Sequence, residues 1–295
     1  LTKKNVGRGR FPSWLHRKLP KGNHLIHTGK VLEGKRLHTV CEEAKCPNLM
    51  ECWSKKTATF LLMGKECTRA CGFCDIDFNK KPQELDPSEP QKVMESVKAL
   101  GLKHVVMTMV ARDDQEDGGA HQLAKVIREV RKGCPGVTIE VLTSDFEGKE
   151  KSYEVVLEAR PEIFNYNIET VRELSGRVRH KATYERTLGL LSYVKKHRKN
   201  PRMYVKSGIM VGLGESLDQV KETIKDLKEH SCDIITIGQY LQASPKKILV
   251  KSFIRPEEFK ELELYGYSIG VKHMYCGPFV RSSYNAGEVL ESVQE

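Results

Sequence analysis

From residue 58 onward, hydrophobic and polar positions along the chain follow two alternating patterns. Nearly continuous apolar runs rich in β-branched residues predict six strands buried on both faces, at 59–63, 104–110, 138–142, 163–168, 204–211 and 234–240. Apolar positions at the helical period predict helices between them, at 90–100, 120–132, 151–159, 183–197, 216–230 and 256–264. Six strand–helix units in this order predict an α/β fold, an incomplete (β/α)6 barrel of the TIM type.

The predicted barrel divides the chain into three parts. Residues 58–265 form the barrel, 1–57 precede it as a basic arm and a cysteine-rich segment, and 266–295 follow it. In such barrels, catalytic groups lie on loops at the carboxyl ends of the strands. The first five strands are followed by polar or cysteine-bearing positions at 67–74, 112–114, 145, 169 and 212–215. We therefore expect one active-site mouth, covered by the N-terminal and C-terminal extensions.

The charge of the chain is unevenly distributed. Lysine and arginine (49) exceed aspartate and glutamate (39), which gives a net charge of +10, and residues 1–32 contain no acidic side chain. This predicts attraction to an acidic partner, which could be a nucleic acid, a membrane surface or an acidic protein. Along the helices, basic and acidic residues are interleaved, as on a solvated, salt-bridged face. No apolar stretch approaches the ~20 residues of a membrane span, so we expect a soluble protein.

Six of the nine cysteines form two triplets. They are Cys41, Cys46 and Cys52, then Cys67, Cys71 and Cys74. A triplet cannot close into disulfides by itself, so the clustering favours metal thiolates in a reducing compartment. Three thiolates on a short loop can hold an iron–sulfur cluster and leave one iron open for another ligand. A zinc knuckle is the alternative, but it needs a fourth ligand, and the next histidine, His104, lies 30 residues beyond Cys74.

The second triplet has a specific signature. The run from Cys67 to Cys74 (CTRACGFC) follows the first predicted strand and carries Phe73 before its last cysteine. Its CxxxCxxC spacing resembles the radical S-adenosylmethionine superfamily. The resemblance implies that the three cysteines are catalytic and hold a [4Fe-4S] cluster whose open iron binds S-adenosylmethionine. In that superfamily, the reduced cluster cleaves the cofactor and a 5′-deoxyadenosyl radical results.

The run from Gly208 to Glu215 (GIMVGLGE) resembles the GxIxGxxE pattern of the same superfamily, with Met210 where isoleucine is usual. The resemblance implies that Gly212 and Glu215 line the cofactor site, because glycine allows close approach of the backbone to a ligand. A glycine-rich run also makes ordinary strand-to-helix turns, so that alternative stays open.

Three further polar residues are expected to bind the cofactor. Asn167 and Glu169 are candidates for contacts with its ribose or amine, and Lys206 for balancing the charge of its carboxylate. For each of them, a salt-bridged position inside the barrel is the alternative.

The first triplet, with spacing CxxxxCxxxxxC, and the C-terminal run RSSY from Arg281 to Tyr284 together resemble the lipoyl synthase family, over nearly the whole chain. The resemblance implies an auxiliary [4Fe-4S] cluster held by Cys41, Cys46, Cys52 and Ser283. For Ser283, a backbone-capping hydroxyl is the alternative. In this family, two sulfur atoms from the auxiliary cluster are inserted at C6 and C8 of a protein-bound octanoyl group.

The same resemblance implies the partners. They are octanoylated lipoyl carrier domains (the E2 subunits of 2-oxoacid dehydrogenases and the glycine cleavage H protein) and a low-potential electron donor such as ferredoxin or flavodoxin. We expect no nucleic acid or membrane partner, a monomer, and residence in the bacterial cytoplasm or, in a eukaryote, the mitochondrial or plastid matrix. The chain differs from the residues most common in this family at Thr143, Ser144, Tyr166, Ala243, Ser252, Phe253 and Cys276.

Two rival interpretations remain at this point. A radical methylthiotransferase acting on RNA would use the positive charge to bind phosphate, and it predicts an added RNA-binding domain. A non-catalytic zinc-binding adaptor predicts colourless protein that contains zinc rather than iron.

Overall fold

The computed structural model describes residues 11–16, 37–46, 48–54 and 59–283. Its strands are β1 (His38–Thr39), β2 (Thr59–Leu62), β3 (Glu66–Cys67), β4 (Asp77–Phe78), β5 (His104–Met109), β6 (Thr138–Leu142), β7 (Ile163–Asn165), β8 (Tyr204–Val211), β9 (Ile234–Gln239) and β10 (His273–Gly277). Its α-helices are α1 (Val40–Glu43), α2 (Leu49–Ser54), α3 (Glu89–Leu100), α4 (Ala120–Gly133), α5 (Glu150–Glu158), α6 (Arg172–Val178), α7 (Tyr184–His197), α8 (Leu217–Glu229) and α9 (Pro256–Ser268).

One open sheet organises the described residues, in the order β1-β2-β5-β6-β7-β8-β9-β10. From β2 to β10, all neighbours pair parallel and follow one another along the chain, while β1 pairs antiparallel with β2. Helices follow the strands, as the incomplete barrel predicted from the sequence requires. The α/β barrel class is confirmed.

Two of the elements that the structure adds to the predicted six units belong to the later part of the barrel. A seventh parallel strand, β10, pairs with β9, and a short helix, α6, precedes α7. The sequence did not indicate β10 because it lies at the sheet edge, where only two of its five residues are buried and no continuous apolar run is needed. Helix α6 has only seven residues, several of them charged, so it shows no helical period.

The main core lies between the sheet and its helices. Alternate residues of the strands are fully buried there, among them Val105 and Met107 of β5 and Ile235 and Ile237 of β9. Burying one such side chain contributes about 1.5–3 kcal/mol. The core therefore fixes the strands, and with them the loops at their carboxyl ends.

The segment before α4 shows how the sequence sets a loop. Gly118 and Gly119 have positive φ angles of 63° and 88°, and a Cβ on Gly119 would lie 2.4 Å from the sulfur of Met63. Asp117 accepts hydrogen bonds from the backbone N–H groups of Gly119 and His121, at 2.9 and 2.7 Å. A carboxylate at the N-terminus of a helix accepts hydrogen bonds from backbone N–H groups that would otherwise have no partner.

Much of the predicted basic arm (1–10 and 17–36), and the end of the C-terminal segment from Tyr284 onward, lie outside the described residues. Of the arm, Phe11 packs edge-to-face on Phe253, with ring centroids 5.7 Å apart, and Leu15 is buried. None of the helices that the structure describes is long and apolar enough to cross a membrane.

Candidate active site

The CxxxCxxC loop is tied to the next loop of the barrel by Thr68. Its N–H and its hydroxyl both donate to the carbonyl of Ala111, at 3.0 and 2.9 Å, and the hydroxyl accepts from the N–H of Asp113 at 3.0 Å. Three hydrogen bonds through one small residue fix the backbone between Cys67 and Cys71 against the carboxyl end of β5.

Arg69 extends this anchorage to a third loop. Its side chain is 5% exposed and reaches Asp113 at 2.7 Å and Asp145 at 2.6 Å. Burial alone would lower the pKa of Arg69, but hydrogen bonds to Asp113 and the charge of Asp145 raise it above its ordinary value. Asp113 and Asp145, both at predicted mouth positions, therefore anchor the cysteine loop.

Gly72 holds the loop from the other side. Its N–H donates to the carbonyl of Val178 at 2.9 Å, and its carbonyl accepts from the N–H of Ile248 at 2.9 Å. A Cβ at this position would lie 2.6 Å from the side chain of Ile248, so only glycine fits without displacement. The spacer residues of the signature are thus explained by contacts to the barrel.

The three thiols of this loop influence one another. Burial raises the pKa of Cys71 to about 11; the charge of Arg179 opposes this rise and the charge of Cys67 adds to it. Burial also raises the pKa of Cys74, to about 12, and the charges of Cys71 and Cys67 act in the same direction. Such thiols lose their protons when they bind a metal centre, because thiolates are the ligands that iron–sulfur clusters use.

Among the described residues, no three His, Cys, Asp or Glu side chains are arranged so as to hold a metal ion. The chemistry of the donor set still fits a [4Fe-4S] cluster, since one short loop carries three cysteines. The assignment of Cys67, Cys71 and Cys74 as iron ligands stays a prediction.

Asn167 and Glu169 lie beside each other at the end of the fourth predicted strand. The Asn167 amide donates to Glu169 at 3.1 Å and to the hydroxyl of Ser282 at 3.3 Å. The amide oxygen of Asn167 is buried without a hydrogen-bond partner among the described residues. A Cβ on Gly208 would lie 2.8 Å from that oxygen. A buried acceptor of this kind suits a ligand that donates a hydrogen bond, such as a ribose hydroxyl or an amine.

Gly212 and Glu215 shape the next loop. Glu215 accepts hydrogen bonds from the backbone N–H groups of Gly212 and of Leu213, the latter at 3.0 Å. Gly212 has a φ of 99°, and a Cβ there would lie 2.5 Å from the carbonyl of Ser252. The structure thus gives both residues a part in the turn, and their contacts with a cofactor stay a prediction.

Lys206 is not brought together with these residues. Its ammonium is fully buried and donates to both carboxylate oxygens of Glu140, at 2.9 and 3.1 Å. It pairs in register with Ile234, the first residue of β9, and so belongs to the amino-terminal half of the barrel. This is the salt-bridged alternative that the sequence left open, because its charge is already balanced by Glu140.

The first cysteine triplet lies on α1, the turn after it and α2. Thr39 begins α1 by accepting a hydrogen bond from the N–H of Glu42 at 3.3 Å. The N–H of Cys46 then donates to the carbonyl of Cys41 at 3.1 Å, and that of Cys52 donates to the carbonyl of Asn48 at 2.9 Å. These local bonds hold the cysteine backbones in one compact segment.

Two long-range contacts attach this segment to the barrel mouth. Lys45 forms an ion pair of 2.5 Å with Asp75, the neighbour of Cys74, and Asp75 also accepts from Ser244 at 2.7 Å. The buried amide of Asn48 donates to the carbonyl of Phe279 at 2.8 Å. The two triplets and the C-terminal segment therefore lie at the same end of the barrel. Ser283 is partly buried there, and its role as a ligand stays a prediction.

Sequence reasoning missed Arg179, a buried arginine just after α6 that donates to the hydroxyl of Tyr166 at 2.9 Å. It lies in the polar run from Arg177 to Lys181, which resembles an exposed surface, so no pattern in the sequence marks it.

Comparison with known families defines the class of protein. The model of the radical SAM superfamily matches residues 61–227, which include the CxxxCxxC loop and most of the barrel. Among solved structures, methylornithine synthase (PylB) superposes with a TM-score of 0.54 at 12% identity, covering 79% of this chain and 80% of that one. Streptococcus suis SuiB bound to its precursor peptide SuiA gives 0.57 at 14% identity, covering 74% of this chain and 48% of SuiB. The structural likeness supports the fold.

The family is defined by two further matches. The model of the N-terminal domain of lipoyl synthase matches residues 1–46. The lipoyl synthase of Protochlamydia amoebophila is 65% identical over 285 residues, which are 97% of this chain and 88% of the relative. The chain belongs to the lipoyl synthase family. This membership confirms the predicted cofactors, S-adenosylmethionine and [4Fe-4S] clusters.

Proposed function

We propose that this chain inserts two sulfur atoms, at C6 and C8, into an octanoyl group carried by a lipoyl domain, and so forms the lipoyl group. One observation carries the proposal: Lys45 reaches Asp75 at 2.5 Å while Asn48 reaches Phe279 at 2.8 Å. These contacts join both cysteine triplets and the C-terminal segment at one mouth, as a reaction that needs two clusters requires.

The residues of the mouth have separate tasks. Cys67, Cys71 and Cys74 would hold the first cluster, which together with S-adenosylmethionine supplies the removal of hydrogen from the octanoyl chain. Thr68 and Arg69 fix the loop that carries these cysteines. A rigid loop keeps the reacting groups in the orientation needed for hydrogen transfer.

Asn167 and Glu169 orient the cofactor. The amide oxygen of Asn167, which has no hydrogen-bond partner among the described residues, accepts a hydrogen bond from the ligand. The Glu169 carboxylate attracts the positively charged amine of the ligand. Gly208 leaves the space that a side chain would fill. Gly212 and Glu215 shape the adjoining turn so that the backbone comes close to the ligand.

Cys41, Cys46, Cys52 and Ser283 would hold the auxiliary cluster, whose sulfur enters the product. A serine oxygen is a hard ligand for an iron that is usually bound by thiolate. It suits a cluster that has to open. The hydrogen bond of Ser282 with Asn167 supports Ser283 as a ligand of the auxiliary cluster. It brings the neighbour of Ser283 to the cofactor side of the mouth.

The described parts of the N-terminal arm and of the C-terminal segment help to exclude water from the mouth. Phe11 packs on Phe253, and a Cβ on Gly238 would lie 1.9 Å from the carbonyl of Val280, so the C-terminal segment is in close contact with the barrel. A closed site protects reactive species from solvent.

The partners are octanoylated lipoyl domains, namely E2 subunits of 2-oxoacid dehydrogenases and the glycine cleavage H protein, and a ferredoxin or flavodoxin as reductant. The net charge of +10 favours acidic carriers over neutral ones. Bacterial relatives and the clustering of six of the nine cysteines into two triplets support residence in a reducing bacterial cytoplasm, as a monomer without nucleic acid or membrane partners.

The test is anaerobic turnover of the reconstituted chain on an octanoylated lipoyl-domain peptide. Mass spectrometry is expected to find two added sulfur atoms, and metal analysis about eight irons per chain, as two four-iron clusters. A colourless protein with zinc would favour the adaptor, and an unmodified octanoyl chain beside sulfur-modified RNA would favour the methylthiotransferase.

A further inference from the structure

Two segments at the barrel mouth carry basic residues and no acidic ones. They are residues 177–183, at the end of α6 and after it, and residues 240–255, between β9 and α9. By contrast, the loop after β5 holds four carboxylates, at positions 113, 114, 116 and 117. The positive charge at this end of the barrel is therefore concentrated on two segments.

Both basic segments meet the CxxxCxxC loop at one residue, Gly72. The N–H of Gly72 donates to the carbonyl of Val178, and its carbonyl accepts from the N–H of Ile248, each at 2.9 Å. A Cβ on Gly72 would lie 3.5 Å from the carbonyl of Arg177. The two segments therefore lie on either side of the residue that directly follows Cys71.

The surface that the two segments form around the loop is held in place by local contacts. Phe73, Tyr240 and Ile248 belong to one small apolar cluster. The hydroxyl of Tyr240 donates to the carbonyl of Ile248 at 2.7 Å, and the amide of Gln242 donates to the carbonyl of Lys247 at 2.8 Å. A surface whose backbone is fixed in this way loses little conformational freedom when a partner binds to it.

The cations of this surface are accessible. Arg177, Lys246 and Lys251 are exposed, and Lys247 is partly exposed; these four residues are called the basic rim. A group of exposed like charges attracts a partner of opposite charge and speeds its association. A charged contact area of this kind suits the small, transient interfaces of electron-transfer proteins.

We propose that the basic rim docks an acidic, low-potential electron-donor protein that reduces the first cluster. The inference rests on the proposed function, in which Cys67, Cys71 and Cys74 hold that cluster. One electron leaves the reduced donor and enters the oxidised cluster, so the donor is oxidised, the cluster is reduced and no covalent bond of this chain forms or breaks. Electron transfer slows steeply with distance, and the rim adjoins the loop between Cys71 and Cys74.

The octanoylated carrier domain is the other acidic partner of the proposed function. The position of the rim favours the electron donor, because two hydrogen bonds at Gly72 join the rim segments to the loop of the first cluster. It is this cluster that has to be reduced before the cofactor is cleaved. The experiment separates the two partners.

The test uses an acidic bacterial flavodoxin and the full, reconstituted chain. Arg177→Glu/Lys246→Glu reverses two charges of the rim, and Arg177→Lys/Lys246→Arg keeps both. The matched control, Lys125→Glu/Arg128→Glu, reverses two exposed charges on α4. Stopped-flow absorbance follows the oxidation of reduced flavodoxin, and calorimetry measures the binding of oxidised flavodoxin without turnover. A parallel turnover assay uses dithionite, a small reductant that needs no docking surface.

We expect the charge reversal to lower the second-order rate constant of reduction by flavodoxin about tenfold or more at low ionic strength, and to weaken its binding. High salt should shrink the difference, because it screens exposed charges. The charge-keeping variant and the α4 control should match the wild type. Lipoyl formation driven by dithionite, and its KM for the octanoylated domain, should be the same in every variant.

Two results would overturn the proposal. One is an unchanged rate of reduction by flavodoxin in the rim variant, or an equal loss of rate in the α4 control. The other is a raised KM for the octanoylated domain in the dithionite assay of the rim variant, which would assign the rim to the carrier domain.

A single substitution decides the case in which the double rim variant holds no iron. Lys246→Glu changes one exposed loop residue, and slower reduction by flavodoxin with unchanged dithionite-driven turnover then supports the proposal, while unchanged reduction overturns it. If the wild type forms no lipoyl product with dithionite, the proposed function fails. Calorimetry still tests the rim in that case, since equal binding of flavodoxin to the wild type and the rim variant overturns the docking proposal.

Discussion

Both ends of the barrel hold buried ion pairs, such as Arg69 with Asp145 at the mouth, but they differ in the groups that lie beside those pairs. At the amino-terminal end, Lys206 and Glu140 neutralise each other at 2.9 Å, and Asp233 pairs with Lys195 at 2.5 Å and Lys272 at 2.7 Å. At the carboxyl end, the described residues leave the amide oxygen of Asn167 without a partner. Cys71 there has its pKa raised by burial. Groups that complete one another stabilise a fold, while groups that lack complements mark the place where a ligand completes them.

This difference separates residues that maintain the barrel from residues that serve the reaction. A change at the amino-terminal end should lower stability and leave the chemistry of folded molecules intact. A change at the mouth should impair the chemistry and leave the stability of the metal-free protein nearly unchanged.

The largest effect is expected for Cys71→Ala. Without this thiolate the first cluster is lost, so formation of 5′-deoxyadenosine should fall to background and iron should drop from about eight to about four per chain. The melting temperature of the metal-free protein should hardly change. The control is Cys134→Ala, because Cys134 is a buried cysteine that directly follows α4 and donates to the carbonyl of Met94. Loss of activity in both variants would contradict the division.

Lys206→Met should cost about 3–5 kcal/mol of unfolding free energy, because it leaves Glu140 as an uncompensated buried charge. Urea unfolding of the metal-free protein measures this cost. Adding Glu140→Leu should recover much of the stability, since the pair is then removed as a unit. A Lys206→Met variant that stays stable but no longer binds S-adenosylmethionine would instead show that Lys206 serves the cofactor.

Acid should weaken the amino-terminal end through Asp233. Burial alone would raise the pKa of this carboxyl, but hydrogen bonds from Lys195 and Lys272 lower it. A lowered pKa in the folded state means that the contribution to stability is complete above the unfolded value of ~3.9 and is lost as the pH falls through the folded value. Urea midpoints of metal-free wild type should therefore drop more steeply below pH ~4 than those of Asp233→Asn. Parallel curves would contradict this.

The smallest effect on stability, about 0.5–1.5 kcal/mol, is expected for Asn48→Ala, which removes one hydrogen bond. Its effect on the ratio of 5′-deoxyadenosine to lipoyl product should be larger than its effect on stability. With Phe279 of the C-terminal segment no longer held by residue 48, more 5′-deoxyadenosine should form for each lipoyl product. Asn200→Ala, which removes a bond to Pro161 near the amino-terminal end, is the matched control. An unchanged product ratio in Asn48→Ala would separate this contact from sulfur insertion.

The sequence predicted the features of the fold and site that depend on local patterns of residues. The six strands, the loop from Cys67 to Cys74 and the positions of Asn167 and Glu169 at the mouth follow from local periodicity and spacing. The long-range contacts that hold these parts together could not be predicted from such local patterns. Lys45 and Asp75 are 30 positions apart, and Asn48 and Phe279 are 231 apart. Such contacts depend on the folded path of the chain, and a buried arginine such as Arg179 looks like a surface residue until that path is known.

The contact of Asn48 with Phe279 has a consequence for biogenesis. A ribosome that has just made Asn48 must add 231 more residues before the carbonyl of Phe279 exists. At ordinary synthesis rates this takes roughly ten to fifty seconds. Once Cys74 has been added, the nascent polypeptide carries both cysteine triplets but still lacks the segment that Asn48 binds. Maturation of the metal centres is therefore best completed after translation.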